Sequence, residues 1–203
     1  MRKIFVTGIG TDIGKTVVSA VLTEALGADY WKPVQCGELD NSDTMKVQSL
    51  VGNKDSIFQP EAYRLSGFMS PHAAAALEGV EIVLDSIIIP DTNNILIIEG
   101  AGGLLVPLSG KDLVIDLIEV LDCEAVVVSQ NYLGSINHTL LTISALKERG
   151  IPITGIVFNG DANKETENII LDITGVKCLG RIDQEKVINP SIIAQYAIQF
   201  KDI

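Results

Sequence analysis

The chain has 203 residues, of which 47% are hydrophobic and 20% charged, and its net charge is −11. This length is typical of one domain with a full core, and the composition excludes a disordered or low-complexity chain. The acidic balance disfavours general binding to nucleic acids or anionic lipids, so an anionic ligand would need a local positive site. We therefore expect a single domain over residues 1–203.

The cysteines and the N-terminal segment limit the class further. Cys36, Cys123 and Cys178 are odd in number, far apart and without a C-x-x-C pair, which argues against a disulfide framework and against a zinc site. No base lies near Cys36 or Cys123 in the sequence, so we expect no thiol nucleophile. The first apolar run is too short for a secretion signal, and no stretch approaches the roughly 18 apolar residues of a membrane span. We expect a cytoplasmic protein.

Continuous apolar runs alternate with helical patterns along the chain. The predicted strands are 3–7, 28–32 (a weaker candidate), 95–99, 124–129, 153–159 and 176–179. The predicted helices are 14–26, 42–50, 70–78, 112–121, 135–149, 164–173 and 191–200; segment 82–89 is left open between helix and strand. Runs without polar alternation are typical of strands covered on both faces. The pattern predicts a doubly wound α/β fold, with a mostly parallel sheet and helices on both faces.

Residues 8–16 (GIGTDIGKT) join the first predicted strand to a helix. Glycines let backbone N–H groups face a phosphate, and the helix N-terminus adds partial positive charge. Lys15 could reach the β- and γ-phosphates, and the Thr16 hydroxyl could hold Mg²⁺. Ile9 stands where the strict Walker A pattern has glycine, although Gly8 and Gly10 flank it. The context favours a phosphate loop over an ordinary glycine-rich turn.

Two acids could complete a metal site. Glu99 ends the predicted strand 95–99, at the edge where doubly wound sheets bind ligands and where a Walker B acid would lie, and 100–103 (GAGG) follows. The alternative is that Glu99 caps a helix. Asp43 lies at a predicted helix start. It could be a second Mg²⁺ ligand. On sequence alone, an acidic residue that only stabilises the first turn of a helix is nearly as good an interpretation.

Lys32, in 31–37 (WKPVQCG), follows a predicted strand and should face the same crevice. A lysine there could stabilise charge on a transferring phosphoryl group, whereas a solvated surface lysine is the commoner case. A second helix start, 134–138 (GSINH), could hold a carboxylate on its N–H groups. Ordinary N-capping by Ser135 is the favoured interpretation there. We expect His138 to be packed or solvated rather than catalytic.

Six segments together resemble the dethiobiotin synthase family, in order and over nearly the whole chain. They are 8–16, 31–34 (WKPV), 41–43 (NSD), 70–72 (SPH), 99–103 (EGAGG) and 134–138. The phosphate loop is shared by the P-loop nucleoside triphosphatases, whereas the KPV, EGAGG and INH segments are more specific. The resemblance implies a P-loop fold and an ATP- and Mg²⁺-dependent ligase of biotin synthesis. Its reaction joins 7,8-diaminopelargonate and CO₂ into dethiobiotin, through a carbamate and a carbamic–phosphoric anhydride.

The resemblance also implies site residues, with Lys15 and Lys32 as the catalytic pair. The implied ATP-binding residues are Asp12, Ile13, Gly14, Lys15, Thr16, Val17, Asp43, Glu99, Gly100, Ala101, Gly102 and Asn159. The implied Mg²⁺ ligands are Thr16, Asp43 and Glu99. The implied substrate residues are Thr11, Asp12, Lys15, Lys32 and Cys36, with Leu133, Gly134, Ser135, Ile136 and Asn137. The family is homodimeric, and it is the segment 133–137 of one subunit that serves the other subunit's site.

Three departures from the family pattern stand out. The loop lacks the family's Gly-Thr-Asp-Thr, Cys36 replaces a serine, and 181–184 (RIDQ) replaces a segment that usually contains proline near the adenine. Three rival functions remain. Regulatory ATPases of the partition or septum-site class carry a second lysine at the position of Gly10. An amidotransferase synthetase domain would need a glutaminase domain, and a pure nucleotide-binding module would not need Lys32.

Overall fold

The computed structural model describes residues 1–203 and contains nine strands and seven helices. The strands are β1 (Lys3–Gly8), β2 (Asp29–Trp31), β3 (Val34–Cys36), β4 (Phe58–Gln59), β5 (Tyr63–Leu65), β6 (Leu96–Glu99), β7 (Glu124–Gln130), β8 (Ile153–Asn159) and β9 (Cys178–Ile182). The helices are α1 (Lys15–Leu26), α2 (Asp43–Leu50), α3 (Pro71–Leu77), α4 (Val114–Val120), α5 (Ser135–Glu148), α6 (Lys164–Thr174) and α7 (Pro190–Ala197). None of these helices combines the length and apolar character that a membrane crossing requires.

The main sheet has seven strands in the order β4-β2-β6-β1-β7-β8-β9, and every pairing in it is parallel. A second sheet holds only β3 and β5, also parallel. The order reverses around β1, so the carboxyl ends of β1, β2 and β6 open onto one crevice, as expected for a doubly wound sheet. The predicted fold class is confirmed.

Two buried layers cover the sheet. Ile4, Val6, Tyr30 and Ile97 lie on one face, in a cluster with buried residues of α1, α2 and α7. The opposite face packs against buried residues of α3, α4, α5 and α6. Burial on both faces explains why the strands read as continuous apolar runs in the sequence.

Most predicted elements are present, with shifted ends. The strand predicted at 176–179 lies at Cys178–Ile182, because Gly175 ends α6 in a left-handed conformation and 176–177 form the connection to the strand. The helix predicted from 112 begins at Val114, where the Asp116 carboxylate accepts the Leu113 N–H at 2.7 Å.

Segment 82–89 is neither helix nor strand apart from the 3₁₀ turn Leu84–Ser86, although Ile82, Leu84 and Ile87 are buried. Its apolar residues therefore cover the core from a loop. Strands β3, β4 and β5 have two or three residues each and were not predicted. The helix predicted over 191–200 is α7 followed by the 3₁₀ turn Ile198–Phe200.

Candidate active site

The phosphate loop leaves β1 at Gly8 and enters α1 at Lys15. Gly14 caps the helix with φ 90°, and a Cβ there would lie 2.2 Å from the Asn159 Nδ2 atom. A Cβ at Gly8 would lie 2.3 Å from the Ile13 Cδ1 atom. A Cβ at Gly14 would be strained by the positive φ as well as by Asn159, whereas one at Gly8 would displace the end of the Ile13 side chain. Backbone N–H groups between the two glycines can face an anion.

Lys15 is buried, and its ammonium donates to the Gly10 carbonyl oxygen at 2.7 Å. Burial lowers the pKa of Lys15 to about 8, against the attraction of Glu99, and the charge of Lys32 lowers it further. The lysine thus folds back over its own loop. A phosphate oxygen could replace the carbonyl as its acceptor, and the added negative charge would favour the ammonium form.

Glu99 is fully buried at the end of β6, and both of its carboxylate oxygens have partners. Its Oε1 accepts the Thr16 hydroxyl at 2.9 Å and the Lys32 ammonium at 3.1 Å. Its Oε2 accepts the Tyr30 hydroxyl at 2.9 Å. The alternative in which Glu99 caps a helix is wrong, because the next helix begins only at Val114.

Lys32 is only 5% exposed, so the surface-lysine interpretation is wrong. Its ammonium contacts the carboxylates of both Asp43 and Glu99. Burial alone would lower the pKa of Lys32, but the attraction of Glu99 and Asp43 outweighs it and raises the pKa. Asp43 is indeed the first residue of α2, and it takes part in the ion pair as well. The Asp43 N–H donates to the Gln35 side-chain oxygen at 3.1 Å, which fixes the helix start.

The oxygens around Lys32 suit magnesium. The Thr16 hydroxyl donates to the Glu99 carboxylate, and the Lys32 ammonium joins Glu99 to Asp43, so the two carboxylates already share one cation. No three His, Cys, Asp or Glu side chains cluster as a complete protein cage. Mg²⁺ does not need such a cage, since it commonly keeps waters and uses one or two carboxylates with substrate phosphates. The residues present therefore fit the ion.

One cavity of about 840 Å³ joins most of the predicted site residues. Those that line it are Thr11, Asp12, Gly14, Lys15, Thr16, Val17, Lys32, Cys36, Asp43, Glu99, Ala101 and Gly102. Ile13, Gly100, Asn159 and the segment 133–137 do not line it. The Asn159 amide instead donates to the Ile13 carbonyl oxygen at 3.0 Å, behind the phosphate loop.

The sequence analysis missed several residues of this site. Lys46 could have been found, because it lies three residues after Asp43 on α2 and contacts that carboxylate at 3.3 Å. Tyr30, Gln35 and Phe68 gave no signal, since their roles depend on contacts between distant segments. Tyr30 approaches Glu99, which is 69 positions away in the chain, and Phe68 lines the cavity from a loop.

The start of α5 lies apart from this cavity. Gly134, with φ 102°, caps the helix, and the buried Ser135 hydroxyl has no hydrogen-bond partner. The predicted side-chain cap by Ser135 is therefore wrong, since the glycine before it takes the cap position. Leu133 is fully exposed, and the Tyr132 hydroxyl lies 2.7 Å from the Nδ1 atom of the exposed His138. A separate cavity of about 630 Å³ lies between this region and the phosphate loop.

The cysteines are poorly suited to nucleophilic chemistry. Cys36 lines the cavity, and burial raises the pKa of its thiol to about 11, although Lys32 opposes the change. Burial raises the pKa of the Cys123 thiol to about 12. Both side chains are therefore protonated thiols near neutral pH, in agreement with the sequence-based expectation.

Comparison with known proteins identifies the family. A family model described as an AAA domain matches residues 2–191. An ATP-dependent dethiobiotin synthetase of Cytophaga hutchinsonii is 55% identical over 203 residues, which cover 100% of this chain and 98% of that protein. The chain belongs to the ATP-dependent dethiobiotin synthetase family. A synthetase of Christiangramia forsetii is 51% identical, with 98% of this chain and 96% of that protein covered. Membership in this synthetase family makes the chain an ATP-dependent enzyme of the ligase class.

Solved structures agree on the fold. The cell division ATPase MinD of Pyrococcus furiosus has a TM-score of 0.60 at 17% identity, with 99% of both chains covered. A ParA family ATPase of Chlorobium tepidum has a TM-score of 0.53 at 15% identity, with 98% of this chain and 99% of that chain covered. At such low identity these likenesses support the dethiobiotin synthetase chain's fold and not its function.

Proposed function

We propose that the chain closes 7,8-diaminopelargonate and CO₂ into dethiobiotin while converting ATP to ADP and phosphate. Beside family membership, one observation carries this proposal: Lys15 and Lys32 line a single cavity together with Asp43 and Glu99. The reaction brings a carbamate and a triphosphate together. Two like unit charges about 4 Å apart repel by about 4 kcal/mol at an effective dielectric of about 20, so fixed positive charge is needed there.

The ATP side of the cavity is the phosphate loop. Its N–H groups and the Lys15 ammonium would hold the β- and γ-phosphates, while Asn159 would lie near the base. Thr16, Asp43 and Glu99 would hold Mg²⁺, which supplies charge neutralisation at the β- and γ-oxygens when bound. The remaining nucleotide contacts are those of residues 12–17 and 100–102. These roles follow from the resemblance, supported by the gathering of most of these residues around one cavity.

The chemistry proceeds in three balanced steps. A substrate amine attacks CO₂, forms a C–N bond and loses a proton, which leaves a carbamate. A carbamate oxygen attacks the γ-phosphorus, the bond to the β,γ-bridging oxygen breaks, and ADP departs. The second amine then attacks the carbamoyl carbon of the anhydride. Phosphate leaves with the oxygen that joined carbon to phosphorus, and a second proton is lost as the ureido ring closes.

Lys32 acts on the phosphoryl-transfer step. Its ammonium is held in place by Asp43 and Glu99, and it lines the same cavity as Lys15, so it can donate to the carbamate oxygen or to the transferring phosphoryl group. Thr11, Asp12 and Cys36 line the cavity on the diamine side. The protein's contribution is therefore positioning and charge stabilisation, which carry most of the catalysis of phosphoryl transfer.

We further propose that the enzyme works as a homodimer in the cytoplasm. Residues 133–137 lie outside the cavity of their own chain, and Leu133 is fully exposed. A partner's helix start could therefore complete the site, with its free N–H groups binding the substrate carboxylate. The dimer is a prediction that follows from the resemblance, whereas the compartment is predicted from the lack of a secretion-signal pattern and of a membrane span in the sequence.

The test is incubation of the purified chain with diaminopelargonate, bicarbonate, Mg²⁺ and ATP, followed by mass spectrometry. We expect dethiobiotin in amounts that match the ADP formed. Lys32→Ala should lower turnover by orders of magnitude and leave ATP affinity nearly unchanged. Slow ATP turnover that ignores the diamine would favour the regulatory ATPase instead. That rival lacks support from the loop, because position 10 is a glycine although a Cβ there would meet nothing within 4 Å.

A further inference from the structure

Tyr30 is a fully buried residue whose hydroxyl has a single hydrogen-bond partner, the Oε2 atom of Glu99. Its ring packs beside Phe58, with the ring centroids 6.3 Å apart. A phenylalanine at position 30 would fill this space equally well. Burying a hydroxyl is costly unless it is bonded, so the hydroxyl is explained by its contact with the carboxylate and not by packing.

The sheet register brings the two residues together. Tyr30 is paired with Ile97 in the ladder between β2 and β6. Glu99 is two residues after Ile97, so Tyr30 and Glu99 point to the same face of adjacent strands. This is the face covered by α1, whose first turn carries Thr16. The phenol therefore approaches the carboxylate from inside the core and donates to Oε2, whereas the Thr16 hydroxyl donates to Oε1.

We propose that Tyr30 is a positioning residue that fixes Glu99 so that only its Oε1 atom faces the metal-binding side of the cavity. Oε1 already accepts the Thr16 hydroxyl and the Lys32 ammonium, whereas Oε2 is held by the phenol. Turning the carboxylate to offer both oxygens to one ion would weaken or break the hydrogen bond between the phenol and Oε2. This inference rests on the proposed function, in which Glu99 is a Mg²⁺ ligand.

Offering a single oxygen of Glu99 favours Mg²⁺ over Ca²⁺. Mg²⁺ requires near-ideal octahedral geometry with short bonds, which a single fixed carboxylate oxygen serves well. Ca²⁺ accepts six to eight oxygens and is commonly bound by both oxygens of one carboxylate. Tyr30 thus disfavours the larger ion.

The experiment compares the full chain with Tyr30→Phe, both loaded with a non-hydrolysable ATP analogue and titrated calorimetrically with MgCl₂ and with CaCl₂. Loss of an outer-shell partner typically weakens metal binding about 10–100-fold, and we expect a loss of that size for Mg²⁺. We expect a smaller loss for Ca²⁺, because the released carboxylate can bind it with both oxygens. The ratio of Mg²⁺ to Ca²⁺ affinity should therefore fall.

A matched control is Phe58→Leu, which disturbs packing on the same ring and leaves the hydroxyl in place; it should leave the affinity ratio unchanged. Equal affinities in Tyr30→Phe and the parent chain, or equal losses for both ions, would overturn the inference while leaving the proposed function intact. A parent chain that binds the analogue without any Mg²⁺ dependence would overturn both.

A double-mutant cycle tests whether Tyr30 acts through Glu99. In a Glu99→Gln background, Tyr30→Phe should change Mg²⁺ affinity by less than about 2-fold, since interacting residues are not additive. A full additional loss would contradict the mechanism. If Tyr30→Phe alone does not fold, recovery of folding in the double variant supports the coupling, because the uncompensated carboxylate has been removed. If neither Tyr30→Phe nor the double variant folds, the hydroxyl has a structural role that does not depend on Glu99, and the inference is overturned.

Discussion

Replacing Lys32 by methionine tests the charge balance at the centre of the site. Methionine keeps the length of the side chain and removes its charge, so the carboxylates of Asp43 and Glu99 would face each other without a cation. Removing one partner of a buried ion pair typically costs about 3–5 kcal/mol. Because the Asp43 side chain is 19% exposed, we expect the lower end of that range, about 3 kcal/mol.

For a chain of this size, about 3 kcal/mol corresponds to a fall in melting temperature of roughly 6–12 °C. The assay is thermal unfolding followed by circular dichroism at pH 7, with chelator and without nucleotide. Lys46→Met is the matched control, because Lys46 contacts the same carboxylate of Asp43 but its side chain is 32% exposed. Ion pairs this close to the surface typically contribute at most about 1 kcal/mol.

The loss of stability in Lys32→Met should depend on pH. In the parent chain burial tends to raise the pKa of Asp43, but Lys32 outweighs this and holds the pKa low. The stability from this pair is therefore present at neutral pH and lost as pH falls through the lowered pKa. In Lys32→Met the Asp43 carboxylate loses the cation that holds its pKa low, so its pKa rises and protonation relieves the repulsion from Glu99 at a higher pH than in the parent chain. The difference in melting temperature between the parent chain and Lys32→Met should therefore become smaller as the pH is lowered. Equal melting temperatures for Lys32→Met and Lys46→Met at pH 7 would show that Lys32 does not balance the charges of Asp43 and Glu99.

Three further predictions concern neighbouring groups. Because the pKa of Lys15 is lowered from 10.5 to about 8, the folded chain binds fewer protons than the unfolded chain between about pH 8 and pH 10.5. Nucleotide binding should then take up a proton in that window, seen by calorimetry in two buffers of different ionisation enthalpy and absent in Lys15→Met. Gly14→Ala should lower both melting temperature and nucleotide affinity, since its Cβ would clash with Asn159, whereas Gly10→Ala should leave the melting temperature unchanged. The Cys36 thiol should alkylate slowly at pH 8, with roughly one part in a thousand ionised, and the diamine should protect it; rapid labelling with or without diamine would contradict its place in the cavity.

The sequence carries the parts of this structure that depend on local patterns. The apolar runs of β1, β6, β7 and β8 mark a covered parallel sheet, and the loop before α1 is recognisable because glycines and Lys15 are contiguous. Gly150 follows the C-cap of α5 in a left-handed conformation, with φ 68°, which is the usual place for a glycine after a helix. Short strands such as β3 and β5 carry too few residues to show a period, so only the folded chain reveals them.

Site residues could be predicted only where they lie at the end of a strand or within a contiguous sequence motif. Glu99 and Lys32 could be placed in one crevice because both lie at the carboxyl ends of predicted parallel strands. The direct contact between them, and the Tyr30 hydroxyl behind Glu99, depend on the register between β2 and β6. Ser135 shows the opposite case, in which a good local signal for a cap was overridden by the backbone conformation of Gly134.

In the proposed reaction carbamate and ATP meet in one cleft, so that a carbamate oxygen attacks the γ-phosphorus. The most direct measurement supplies CO₂ labelled with ¹⁸O to the chain with diaminopelargonate, Mg²⁺ and ATP in unlabelled water, over a time shorter than exchange with water. Because phosphate leaves with the bridging oxygen of the anhydride, the account predicts one labelled oxygen in each phosphate released. Unlabelled phosphate, formed together with dethiobiotin, would contradict it.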